Sequence, residues 1–190
     1  MTSRPARILV AMASLLALLP ALLPGGLQAQ TPVTYSDGGR ALFHIEAPDF
    51  WTMRTGGPRL LTAPDSDEAR PTSRIIGLQP TAADDVWVGF VSPQGVTTLE
   101  QAEDYLRDIG PHLVNDPQTT AQGPVRIGGR PAMRYTGSGR RNGRAVSFTA
   151  LTIDLPGPRV AVSVTVIEAG ADPVWTGYIN AIYASFRVAQ

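Results

Sequence analysis

Apolar and polar positions alternate over residues 41–47, with Phe43 and Ile45 on one face and His44 and Glu46 on the other, the two-residue period of a half-buried strand. Pro48-Asp49 ends it and Phe50-Trp51 opens the next apolar cluster. Further strands are predicted near 59–63, after the Gly56-Gly57-Pro58 turn, and over 75–78 and 86–91. In the last of these Val86, Val88 and Phe90 share one face while Trp87 and Val91 occupy the other, so both faces are covered at least in part. The period then changes. Thr97 and Glu100 have the spacing of a capping box, and Leu99, Ala102, Leu106 and Ile109 fall on one helical stripe, with Glu100, Glu103, Asp104 and Asp108 turned away. Gly110-Pro111 is the predicted stop.

The second half reads as a meander. Two short strands, 125–127 and 131–136, flank Gly128-Gly129; 137–143 is a loop ending in Asn142-Gly143, a strong hairpin signal. Strands over 144–155 and 159–167 are separated by Pro156-Gly157-Pro158, and Val160, Val162, Val164 and Val166 form one apolar face. Asp172-Pro173 opens a closing helix along which Val174, Tyr178, Ile182 and Phe186 align, widened by Trp175 and Ile179. Many strands with two amphipathic helices at separate points predict an α+β domain, a central antiparallel sheet flanked by about two helices, over 41–190. Residues 30–40, polar and glycine-bearing, read as a flexible lead.

Upstream of that lead the pattern is of another kind. Arg4 and Arg7 precede a run from Ile8 to Leu23 that is apolar apart from Ser14 and Pro20; Pro24-Gly25-Gly26 breaks it, and Ala29 offers a small residue for cleavage. These are the parts of a cleavable secretory signal over 1–29. The run is shorter than the ~20 residues a spanning helix needs. No twin arginine appears, so the general secretory route to the periplasm or exterior is expected, with no stable membrane anchor after cleavage.

Composition narrows the chemistry by what is missing. The 190 residues contain no cysteine, which excludes disulfides, thiol nucleophiles, thiolate metal sites and a lipid-modified cysteine. All sixteen basic residues are arginine, so P-loop and Schiff-base lysines are excluded as well. Two histidines cannot make a three-histidine zinc site. Cleavage after Ala29 removes Arg4 and Arg7, leaving fourteen arginines against sixteen acids, a balance that does not select nucleic acid.

Several landmarks together resemble the PsbP-like and DcrB-like superfamily of exported α/β-sandwich proteins: the strand–proline–tryptophan run Phe43 to Trp51, the helix start Thr98-Leu99-Glu100-Gln101, the turn Gly128-Gly129-Arg130-Pro131-Ala132 and the closing Ile182-Tyr183-Ala184-Ser185-Phe186-Arg187. The resemblance implies a central antiparallel sheet flanked by helices and an exported accessory or binding role, with no common catalytic motif and so no catalytic residue to carry over. Many bacterial relatives are lipoproteins; this chain lacks the cysteine that such tethering requires.

The most suggestive chemistry is a run of arginines. Arg126, Arg130, Arg134, Arg140, Arg141 and Arg144 fall within nineteen residues without an acid among them, and the planar guanidinium fork suits carboxylate or phosphate. They are candidate contacts for an acidic envelope protein or an anionic small ligand; the bland alternative is a solvated sheet surface. Gly137-Ser138-Gly139 misses a dinucleotide-binding fingerprint and reads as hairpin loop. Asp65, Asp67 and Glu68 lack the glycine and distal glutamate of a calcium loop, and no cofactor is expected. His44 and His112 are the only groups for acid–base work near neutral pH, and no activated nucleophile accompanies them. Trp51, Trp87 and Trp175 read as core or as the lining of a groove. The leading expectation is a non-enzymatic exported accessory protein that binds a partner or anionic ligand. The alternatives are an envelope hydrolase using His44 with a carboxylate, and a small-molecule carrier with a pocket beside Trp51 or Trp175.

Overall fold

The computed structural model describes residues 29–57, 59–62 and 69–190; the predicted leader up to residue 28 and Asp65, Asp67 and Glu68 lie outside these residues. In chain order the elements are β1 (Gln30–Asp37), β2 (Arg40–Pro48), β3 (Trp51–Gly56), β4 (Arg59–Thr62), β5 (Ala69–Thr72), β6 (Ile75–Pro80), β7 (Val86–Val91), α1 (Leu99–Leu113), β8 (Asn115–Ile127), β9 (Arg130–Arg141), β10 (Arg144–Leu155), β11 (Arg159–Glu168), α2 (Val174–Ala184) and β12 (Arg187–Val188). Among them a seven-stranded antiparallel sheet runs in the order β3-β6-β7-β11-β10-β9-β8; β1-β2-β12 form a three-stranded sheet and β4-β5 a two-stranded one. The architecture is α+β with a large antiparallel sheet and two helices among the described residues.

Alternation along the central strands decides which side each residue serves. Leu151, Ile153 and Leu155 of β10, with Ala161 of β11 and Phe90 of β7, pack with Phe43 and Ile45 of β2 and Ile179, Ile182 and Phe186 at the end of α2. This side is thus covered by the small sheet and α2, and its centre is aromatic. Phe43 is stacked between Tyr35 at 4.8 Å and Phe186 at 5.1 Å. Val160 and Val162 turn to the opposite side, under Ala102, Leu106 and Leu99 of α1, and Val164 and Val166 to the same side among Val114, Tyr135 and Val146. α2 is also tied down by polar contacts: Tyr183 Oη lies 2.9 Å from Ser163 Oγ and 2.7 Å from Thr165 Oγ1, and Ser163 donates to the Gly89 carbonyl.

The structure corrects several expectations. Residues 30–37 are not a flexible lead: they form β1, paired along its length with β2. Gly38 and Gly39, with φ of 57° and 78°, make the two-residue turn between them. Residues 137–141 are not loop but the second half of β9; only Asn142-Gly143 turns. Glycine is required at 137 because a Cβ there would come 2.1 Å from the Gln118 carbonyl oxygen and 2.5 Å from Phe148. The cap of α1 is Thr98, whose hydroxyl accepts from the Gln101 N–H, and the Gln101 side chain accepts from the Thr97 N–H; the capping pattern is displaced by one residue from Thr97–Glu100. The helix also runs through Pro111 to Leu113. Gly110, lacking a Cβ, relieves part of the clash that a following proline normally imposes. Glu103 does not face away from the body but is half-buried, accepting a hydrogen bond from Tyr135 at 3.0 Å. Val174 leaves the predicted stripe of α2 and is 49% exposed. Strands β3 and β5 lie outside the predicted strands, and β8 begins ten residues before the short strand expected at 125.

Candidate functional site

The arginine run is carried by β8, β9 and β10. Twelve residues at about 3.4 Å each make β9 roughly 40 Å long, so its two turns lie at opposite ends of the sheet. Arg126 and Arg130 flank the Gly128-Gly129 turn, Arg140, Arg141 and Arg144 flank the Asn142-Gly143 turn, and Arg134 stands between on β9. Six cations close in sequence are therefore divided into two groups.

Most of them have work within the fold. Arg126 donates to the Gly129 carbonyl at 2.7 Å and Arg140 to the Gly143 carbonyl at 2.8 Å, each bracing its own turn. Arg130 pairs with Asp154 through carbonyl and carboxylate. Arg144 donates to Glu168 at 2.7 Å, which raises its already high pKa. Arg134 is exposed and makes no hydrogen bond or ion pair among the described residues.

Arg141 differs from the rest. It is half-buried, and its guanidinium carbon stands 5.4 Å from the ring centroid of Trp87, reaching across β10 and β11. Burial lowers its pKa, opposed by the charge of Glu168, yet it makes no hydrogen bond or ion pair among the described residues. The indole below it lies flat on the sheet: a Cβ at Gly89 would come 2.1 Å from Trp87 Cη2. The two side chains border a hollow of about 400 Å³ that also receives Arg144, Glu168, Asp84 and Asp85. Asp85 Oδ1 is buried there without a partner among the described residues. The hollow thus offers one guanidinium with unused donors on an aromatic platform, among carboxylates of which one is already paired. A cation–π contact of this kind contributes about 0.5–1 kcal/mol when exposed and more when dry.

The remaining candidates are placed as follows. His44 Nδ1 lies 2.8 Å from Thr34 Oγ1, while Glu46 engages Arg187. His112 sits in the last turn of α1 with Nδ1 buried and without a partner among the described residues. Ser138 is an exposed strand residue opposite Ser147. Trp51 and Trp175 meet edge to face at 6.1 Å, in the packing of the first side of the sheet. Among the described residues no three His, Asp or Glu side chains are grouped so as to hold a metal ion, and no helix is long and apolar enough to cross a membrane. The Trp87–Arg141 pair, 54 residues apart in sequence, carries no short-range signal; the only hint was Trp87 on the strand face opposite Val86 and Val88.

No protein-family model matches the chain, and no curated protein matches it in sequence. Solved structures do. The chain is similar to a protein of Bacteroides thetaiotaomicron at 11% identity and TM-score 0.53, over 86% of this chain and 50% of that one, so it spans half that protein's length. It is similar to LpqN of Mycobacterium tuberculosis, involved in cell envelope biogenesis, at 22% identity and TM-score 0.48 over 85% and 91% of the two chains. It is also similar to CyanoP, the cyanobacterial PsbP of Synechocystis, at 13% identity and TM-score 0.49 over 87% and 96%. What the chain shares with the Bacteroides protein is its fold alone.

Proposed function

We propose that this chain is an exported, non-enzymatic accessory protein that docks a protein partner through the Asn142-Gly143 end of the main sheet, presenting Arg141 to an acidic side chain of that partner. The observation that carries the reading is Arg141, half-buried on Trp87 with its donors unused among the described residues. Arginine and tryptophan in a partly desolvated hollow are the residue types on which interface energy concentrates. The carboxylates of Asp84, Asp85 and Glu168 reduce the pull on a free anion. An acidic side chain on a polypeptide segment, which neighbouring residues of that segment hold in place, fits the hollow better than a small ion that must find it alone. Export rests on the leader pattern ahead of Ala29.

The test is binding of an acidic peptide, oligoglutamate, to the chain and to Arg141→Ala. A charge-assisted hydrogen bond contributes about 1.5–3 kcal/mol, so the variant should bind roughly 10–100-fold more weakly, with its thermal midpoint little changed. Equal affinity for the two proteins would remove Arg141 from the account.

A further inference from the structure

A second hollow lies on the same side of the sheet, between α1 and the strands β8, β9, β10 and β11, and shares no residue with the Arg141 site. Its volume is about 260 Å³. Ala150 and Val164 line it from the sheet, Leu106 and Leu113 from α1, and Phe148 presents a ring. The hollow is open to solvent along its rim, where Arg107, Pro111, Thr119 and Gln122 are exposed. Here it is framed by local irregularities. α1 is carried through Pro111 at a lost helix bond, and β8 leaves register twice, between Asn115 and Gln118 and between Thr119 and Ala121. These departures bring Pro111, Pro117 and Thr119 to the rim, and bulges of this kind are typical where a strand is re-aimed beside a site.

Size and polarity together limit the occupant. A closed apolar cavity of about 150 Å³ holds one benzene; this open hollow of about 260 Å³ has room for one ring or two fused rings. The polar edge carries an acid and a base, with Thr119 and Gln122 across from them: Glu103 Oε1 lies 3.5 Å from Arg107, and Glu103 Oε2 accepts from the Tyr135 hydroxyl. Opposite charges side by side give a charged ligand little net attraction. Burial, and then Glu103, push the Tyr135 hydroxyl up to about 12, so it remains a donor at neutral pH. The Glu103 carboxylate keeps lone pairs free for one more donor.

We propose that this hollow binds a neutral molecule of one or two fused rings that carries a single N–H or O–H group, the ring lying against Phe148 and Ala150 and the donor on Glu103. The site is independent of the partner-docking reading and stands or falls without it.

Indole is a suitable probe, with indene as the same shape lacking the donor. Amide chemical shifts of the chain, followed as indole is added, should move saturably at Ala150, Val164 and Tyr135. Indole should bind roughly 10-fold or more tightly than indene, the worth of a hydrogen bond to a charged group. Ala150→Leu, which fills the floor, should abolish binding while the chain stays folded. Glu103→Ala should leave ring binding in place and bring the two affinities together, an outcome that does not depend on the Ala150 variant folding. Unsaturable shifts, shifts centred elsewhere, or equal affinity for indole and indene in the unmodified chain would overturn the proposal.

Discussion

Arg141 of β9 stands over the indole of Trp87 on β7, 5.4 Å from its centroid, with two strands between their backbones. The contact depends on a third residue, Gly89, whose missing Cβ is what lets the indole lie down. Gly89→Ala should therefore lift Trp87 and unseat Arg141. Forcing a methyl into so close a contact costs about 1–3 kcal/mol. The expected result is a lower midpoint in chemical denaturation, together with the same weakened oligoglutamate binding as Arg141→Ala. A normal midpoint with full binding would mean that the platform is not needed.

Asp37 at the end of β1 pairs with Arg159 at the start of β11 at 2.7 Å, joining the small sheet to the large one, and Arg159 also donates to Ser92. Hydrogen bonding from Arg159, the largest cause, holds the Asp37 carboxyl below its usual range. A depressed folded-state pKa contributes stability that is present above the unfolded value of about 3.9 and is lost as pH falls through the folded value. Denaturation midpoints of the unmodified chain should therefore decline on acidification through that window. Asp37→Asn should be less stable at neutral pH and show a shallower acid decline, the two proteins converging at the lowest pH. Parallel curves would count against this pair as an acid-sensitive tie.

Phe43, fully buried between Tyr35 and Phe186, is the aromatic contact that binds the small sheet to the end of α2. Phe43→Ala should cost about 3–5 kcal/mol, the usual range for removing a buried phenylalanine. Equilibrium unfolding in urea measures it. A loss below about 1 kcal/mol would be the size of an exposed substitution and would contradict the packing described.

Tyr183 fastens α2 to β11 through Ser163 and Thr165, and burial raises the pKa of its hydroxyl. Tyr183→Phe leaves Ser163 its bond to Gly89 but deprives the buried Thr165 hydroxyl of its partner. An unsatisfied buried group costs about 1–3 kcal/mol. Hydrogen exchange should quicken over 174–184 in the variant, with β1 and β2 unaffected; unchanged exchange in the helix would show that apolar packing alone holds it.

Much of this architecture was legible from periodicity. The alternation in β2, β7 and β11 and the stripe of α1 describe the faces that the structure buries. What could not be read was mostly a matter of context. Gly38-Gly39 looks like flexibility until a paired strand stands on each side, when the same two residues become a tight turn. Gly137-Ser138-Gly139 resembles a loop by composition, yet glycine is what lets β9 pass under Phe148 and beside Gln118. Pro111 reads as a stop, but the helix runs two residues past it to Leu113. The arginines were the reverse case: proximity along the chain suggested one patch, and a strand about 40 Å long separates them. The Trp87–Arg141 pair required knowing that β7 and β9 lie three positions apart in one sheet, which no local pattern encodes.

The most direct test of the central claim is crosslinked capture from the native envelope, comparing the unmodified chain with Arg141→Ala at about 0.1 M and about 1 M salt, where the screening length falls from about 10 Å to about 3 Å. The account predicts one defined partner, enriched by the unmodified chain at the lower salt, reduced at the higher salt and lost with the variant. Identical capture by both proteins at both salt concentrations would contradict it.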